Sequence, residues 1–188
     1  MEKKKLDRRV KYTKMVIKDS FIALLREKPI SKITVKEICD DADINRATFY
    51  SHYMDQYDLL RKIEEEIFYD VNKYVMIEYS PVSVESISML AKLFEYIRKN
   101  GEICKVLLGD NVDTNFQKLI SELFQRQFVS VWIENKSVSV DDAEFIYTFM
   151  LAGSVGCIKK WLDSDMKKSD EEMAGLIIKL SHKDSSAF

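Results

Sequence analysis

A chain of 188 residues with 46% hydrophobic side chains can bury a real core, and only five Gly and two Pro argue against a many-turned β architecture. The formal charge of −2 is unevenly spread: residues 1–62 carry 15 Lys and Arg against 10 Asp and Glu, and residues 63–188 carry 14 against 21. A basic first third on an acidic body points to a polyanion as the partner of the N-terminal end.

Ile17, Phe21 and Leu24 recur at helical spacing and predict a first helix from about Leu6 to Lys28, ended by Pro29. The lysines ahead of it, Lys3 to Arg9, read as a solubilising tail or as an arm toward the polyanion. Thr34-Val35-Lys36-Glu37 has the pattern of a capping box, so a second helix runs to about Asp41 and buries Val35, Ile38 and Ala42. After a tight turn, Asp41 to Ile44, a third, short helix starts behind Asn45 and ends near Tyr53. Asp55 caps a fourth helix to about Tyr79, with Leu59, Ile63, Ile67 and Val71 as its apolar stripe.

Ser80-Pro81 closes that helix and marks the boundary between an N-terminal unit and a helical body over 80–188. The unit comprises residues 1–55 packed against the start of the fourth helix (55–79). In the body, Ser83 opens a helix to about Asn100 with Gly101 as its C′ residue, and a short helix spans Glu102 to Leu108. Thr114-Asn115-Phe116-Gln117 opens one to about Asn135, Ser139 one to about Ser164, and Ser169 the last, to about Ser181. The expected fold is all-α, with about nine helices.

Two short helices joined by a tight turn are a helix-turn-helix pattern over about 34–53. Its second helix shows Asn45, Arg46, Ala47, Thr48, Tyr50, Ser51 and His52 outward, while Phe49 and Tyr53 face the core. Such a helix fits the major groove of duplex DNA. Arg can donate two hydrogen bonds to guanine, Ala and Thr can meet a thymine methyl, and hydroxyls commonly hold phosphates. The bland alternatives are a core role for Tyr50 and a solvated surface role for His52.

Thr34-Val35-x-x-Ile38, Ala42-x-Ile44, Ala47-Thr48-Phe49-Tyr50-x-His52-Tyr53 and Leu59-Leu60 together resemble the DNA-binding domain of the TetR family of transcriptional regulators, over residues from about 10 to 70. The resemblance implies that Thr34 and Lys36 face DNA, that Arg46 and Ala47 read bases, and that Thr48, Tyr50 and His52 grip or border phosphates. Two positions depart from the family pattern. Asp43 stands where the turn usually has Gly, and Gln56 stands where the fourth helix usually starts with Lys, so a neutral contact replaces a charged one. Gly153-Ser154-x-Gly156-x-Ile158-x-x-Trp161-Leu162 followed by Glu171-Glu172 is similar, more weakly, to the family's ligand-binding and dimerisation region.

The body adds two expectations. Gly153 and Gly156 allow close helix approach, and Met173, Leu176, Ile177 and Leu180 form an apolar stripe that an isolated subunit would expose, so the last two helices form a homodimer interface. Aromatic residues at helical spacing, among them Tyr96, Phe116 and Phe149, are mostly core. Phe94, Phe128, Trp132 and Tyr147 are the candidate wall of a pocket for a small apolar or aromatic effector.

Cys39, Cys104 and Cys157 have no metal-like spacing, so they read as reduced thiols in a cytoplasm, and Cys104 and Cys157 as small buried hydrophobes. The 14-residue uncharged run from Phe145 to Ile158 is too short to span a bilayer and reads as a buried helix. No glycine-rich phosphate loop, nucleophile elbow or zinc signature occurs, so neither an enzyme nor a cofactor is expected. The expected function is a transcriptional repressor that binds double-stranded DNA at a near-palindrome as a homodimer, modulated by the effector. The alternative is a helical protein-interaction or coactivator module of the same fold with no small-molecule ligand.

Overall fold

The computed structural model describes residues 2–75, 84–109, 116–122, 125 and 139–185. Among them every regular element is helical. The chain forms two compact units, one around Met1–Ile67 and one around Phe68–Leu108 with Thr114–Phe188.

In the first unit, α1 spans Glu2–Glu27. It starts ahead of the expected Leu6, because Glu2 to Arg9 holds no Gly or Pro and is rich in good helix formers. The lysine-rich segment is therefore the first turns of a helix and not a tail. Ile17, Phe21 and Leu25 are buried, at i, i+4 and i+8; Leu24, expected on this face, is only half-buried. Pro29 then turns the chain into a 3-10 turn, Ile30–Lys32, whose flanking Ile30 and Ile33 are buried.

Helix α2 (Val35–Asp41) begins with the full capping box: Thr34 Oγ1 accepts from the Glu37 amide at 3.3 Å, and the Thr34 amide donates to Glu37 Oε2 at 2.9 Å. It buries Ile38 and Cys39, whereas Val35 and Ala42 are half-buried. It ends in a Schellman turn. Asp43 takes φ 49°, and the Ile44 amide donates back to the Cys39 carbonyl at 3.0 Å. Asp43 thus adopts the left-handed conformation that glycine would adopt without a Cβ penalty.

Helix α3 (Arg46–Tyr50) is shorter than expected, with Ser51 as its C-cap; the Phe49 carbonyl takes the His52 and Tyr53 amides at 2.9 and 3.0 Å and closes the end. Helix α4 (Gln56–Val75) begins in the first unit and ends in the second. Asp55 Oδ1 accepts the Asp58 amide, and Leu59, Ile63, Ile67 and Val71 are all buried. Lys18 of α1 pairs with Glu66 of α4 at 3.1 Å.

The second unit contains α5 (Val84–Lys99), α6 (Gly101–Leu108), α7 (116–122), α8 (Val140–Asp163) and α9 (Asp170–Ser185). Gly101 is helical and not a left-handed C′ residue. A Cβ there would sit 3.3 Å from Met166 Cε, so close packing is what its missing side chain serves. Helix α5 packs on α9, and α6 on α8. Ser139 and Ser169 cap α8 and α9 as expected. The expected boundary at Ser80-Pro81 and the expected helix starts at Ser83 and Thr114 lie outside the described residues, as does most of the helix to Asn135.

One arginine ties this unit's turn together. Arg98 Nε pairs with Asp170 at 2.8 Å, its Nη atoms donate to the Met166 and Lys168 carbonyls at 3.0 and 2.7 Å, and its guanidinium lies 4.9 Å over the Trp161 ring. Trp161 Nε1 also donates to the Lys168 carbonyl. The clamped turn holds two successive non-glycine residues at positive φ, Asp165 (56°) and Met166 (51°), a conformation costing about 1–2 kcal/mol per residue. No described helix is long and apolar enough to cross a membrane.

Glu64 of α4 is buried, and its Oε1 has no hydrogen-bond partner among the described residues. Burial, then the neighbouring Glu65 charge, pushes its carboxyl from 4.5 to about 7. The folded state therefore keeps a proton that the unfolded chain releases, and its contribution is full below pH 4.5 and lost as pH rises to about 7. Relative to the wild type, Glu64→Gln should gain about 3 kcal/mol between pH 4 and pH 8, read from urea unfolding at both. A stability difference between the two proteins that does not change with pH would refute the assignment.

Candidate nucleic-acid interface

The surface that α2, α3 and the start of α4 form together is an open cleft of about 390 Å³. It is lined by Ser31, Ile33, Thr34, Val35, Lys36, Arg46, Tyr50 and Gln56. Five of the ten residues singled out from sequence for DNA contact, Thr34, Lys36, Arg46, Tyr50 and Gln56, thus converge on one concavity. The other five, Asn45, Ala47, Thr48, Ser51 and His52, do not line it. Ser31 and Ile33 gave no sequence signal, because Ser31 lies in a 3-10 turn behind a proline and Ile33 caps it, outside both helices.

Local chemistry fixes how α3 is presented. Asn45 Oδ1 accepts from the Thr48 amide at 2.7 Å and from its hydroxyl at 2.9 Å. Ser51 Oγ donates to the Thr48 carbonyl at 2.7 Å. Thr34 Oγ1 donates to Glu37 Oε2 at 2.9 Å. The hydroxyl protons of Thr34, Thr48 and Ser51 are therefore committed within the unit, and a phosphate, which only accepts, needs donors. Lys36, Arg46, Tyr50 and Gln56 supply them. Phe49 is fully buried, edge-on to Tyr50 at 5.7 Å, while Tyr50 is 57% exposed.

Electrostatics sort the remaining groups. The Lys28 ammonium and the Thr34 amide and hydroxyl hold Glu37 down at about 2, so the capping carboxylate stays ionised. His52 is half-buried, and burial, then the charges of Lys14 and Lys62, lower its pKa below 6.5. Both effects disfavour its charged form. Burial pushes the Cys39 thiol up, against the opposing pull of Arg46.

Outside the cleft, the expected interface residues divide. Gly153 and Gly156 on α8 are exposed, with nothing within 4 Å of a Cβ added at either. Leu180 is exposed, and Leu176 and Ile177 are half-buried. Met173 is not on the exposed stripe: it is 2% exposed, beside the buried Ala174, on a helix whose main neighbour is α5. Phe145 and Phe149, expected in a buried helix, are 77% and 67% exposed one turn apart on α8. Ala143 and Tyr147 on the opposite face are the buried ones. Cys157 is half-buried, not buried.

Of the proposed pocket wall, Phe94 is buried edge-on against Trp161 at 5.3 Å. Tyr147 is buried with its hydroxyl on the Ser121 carbonyl, and burial raises its pKa. Phe128 and Trp132 lie outside the described residues.

Comparison with known proteins places the chain in a family. Residues 85–183, over half of the chain, match the TetR model described as transcriptional regulator C-terminal region. An uncharacterized HTH-type transcriptional regulator of Bacillus subtilis strain 168, YxbF, is 32% identical over 81 residues, 43% of this chain; the chain spans about a fifth (21%) of that relative's length. A TetR transcriptional regulator from Streptococcus agalactiae 2603V is 26% identical over 93% of this chain and 96% of its own, with a TM-score of 0.64. The fatty acid degradation regulator FadR from Bacillus halodurans shares the fold at 13% identity, covering 90% and 94%, with a TM-score of 0.66. With a helix-turn-helix unit ahead of a matched regulator C-terminal region, the chain belongs to the TetR family of transcriptional regulators.

Proposed function

We propose that the protein binds a near-palindromic duplex operator as a homodimer and represses transcription there. The observation that carries the reading is the cleft in which Lys36, Arg46, Tyr50 and Gln56 gather beside Thr34. Lys36 and Tyr50 hold phosphates, Gln56 adds a neutral contact, and Arg46 reads a base edge. Repression needs only that an occupied operator excludes other proteins.

Dimerisation follows from two needs. A five-residue helix reads too few base pairs for a specific site, so two copies must act together. The α8 face with exposed Phe145 and Phe149 beside open Gly153 and Gly156, together with Leu180 of α9, is apolar surface that a second copy would bury. Leu176 and Ile177 border it. The finer reading adds a small apolar or aromatic effector, supported by the fold shared with a regulator of fatty acid degradation. Phe94 and Tyr147 are packed side chains, so the effector's contacts would lie mainly with other residues of the body.

Duplexes selected by the purified protein from a random pool test the central claim. Arg46→Ala should cost about 1–3 kcal/mol at one base-pair position per half-site and relax the preference there. Tyr50→Phe should weaken all sequences alike. A selected motif unchanged by Arg46→Ala would remove α3 from the reading role.

Assembly has its own test. Phe149→Glu should yield monomers in sedimentation at micromolar concentration, with helical circular dichroism retained, and should cut operator affinity sharply. A wild-type protein that sediments as a monomer would defeat the dimer reading.

A further inference from the structure

The short helix α3 is tied to α4 by a polar latch that no DNA-contact role requires. Lys62 Nζ donates to the His52 carbonyl at 3.0 Å, just beyond the last turn of α3. The same ammonium pairs with Asp58 Oδ2 at 3.1 Å and lies 5.2 Å over the Tyr53 ring. Asp58 is itself buried, and its Oδ2 accepts the Met54 amide at 3.0 Å from the loop between the helices, while Oδ1 pairs with Arg61. The Met54 amide and then Lys62 hold its carboxyl below the usual carboxylate range, so it stays charged inside this cluster.

We propose that Lys62 and Asp58 are positioning residues: they lock the C-terminal end of α3 onto α4 and so set DNA affinity through the angle of the recognition helix, without touching DNA. This deepens the DNA-binding reading above and rests on it. The physical reason is the length of α3. Five residues cannot hold their own orientation, and Asn45 fixes only the N-terminal end. Phe49 and Tyr53 anchor the helix by burial, which is non-directional, whereas the ammonium between the His52 carbonyl and a fixed carboxylate is directional. A buried carboxylate held at three points is also a rigid mount. Because Lys62 and Asp58 both sit on α4, any rotation of that helix is passed to α3 through the same bonds.

A rival role for Lys62, whose side chain is 46% exposed, is a direct phosphate contact, and salt dependence separates the two. Lys62→Met keeps the length of the side chain and removes its donors; Lys62→Arg keeps a cation able to reach both acceptors. On a duplex selected by the wild type, Lys62→Met should bind about tenfold or more weakly, with the slope of log K against log salt unchanged, and Lys62→Arg should recover most of the loss. Amide exchange at residues 49–53 should quicken in Lys62→Met while that of α2 stays as in the wild type.

A slope shallower by about 0.9 would make Lys62 a phosphate contact and overturn the latch. Unchanged affinity with a lowered melting temperature would reduce the pair to a stability role and overturn it equally. A wild type that binds normally, with a Lys62→Met protein indistinguishable from it in both affinity and exchange, sinks the latch alone. A wild type that enriches no duplex sinks the DNA-binding reading itself, while exchange at residues 49–53 still shows whether the latch holds α3.

Discussion

A helix of five residues cannot hold itself together in water, where even good formers need roughly 12–15 residues to be marginal. Everything the first unit presents depends on α3 being held from outside. The Schellman turn at Asp43 delivers the chain to it, at about 1–2 kcal/mol for a left-handed aspartate. The Asn45 cap contributes about 1 kcal/mol at its start, and full burial of Phe49 about 2–3 kcal/mol at its centre. These local contacts place the short helix without aiming it, which leaves the polar bonds from α4 to decide direction.

The second unit meets the same problem of a turn between helices with different means. Its α8–α9 turn closes with the same bond pattern, the Met166 amide donating to the Trp161 carbonyl at 3.0 Å. Here two consecutive residues are left-handed, so the local cost is higher than at Asp43. Arg98 offsets it from α5 by donating to the Met166 and Lys168 carbonyls and by stacking on Trp161. A guanidinium suits this place because its planar fork reaches two acceptors at once, which an ammonium on a lysine stem would do less rigidly. The clamp fixes how α9 leaves the turn, and with it the face that α8 and α9 show together.

What was legible in the sequence follows from range. Caps act over three residues, so Thr34 with Glu37, Asn45 with Thr48 and Ser139 with Asp142 could be read directly, and the helix starts at 35, 46 and 140 with them. Periodicity is coarser. A repeat of 3.6 lets either Leu24 or Leu25 follow Phe21, and only packing settles on Leu25. Face assignment fails where it depends on a neighbour several helices away. Met173 is as apolar as Leu180, and its burial is decided by α5. Phe145 and Phe149 look like core by composition and are exposed in this chain. Gly101 carries the signal of a cap and serves close packing instead.

Donor accounting narrows what the cleft can read. Hydroxyl protons of Thr34, Thr48 and Ser51 are spent on holding α2 and α3 in shape, and burial disfavours the charged form of His52. Arg46 is then the one residue of α3 able to make a bidentate contact to guanine, with Ala47 beside it able to meet a thymine methyl. Two such contacts at about 1–3 kcal/mol each reach only the lower part of the roughly 4–10 kcal/mol that separate a specific site from random sequence. In the proposed dimer, a reading head this sparse would gain specificity by being used twice at a fixed spacing. The proposal thereby makes α3, the shortest α-helix among the described residues, depend on the exposed apolar residues of α8 and α9.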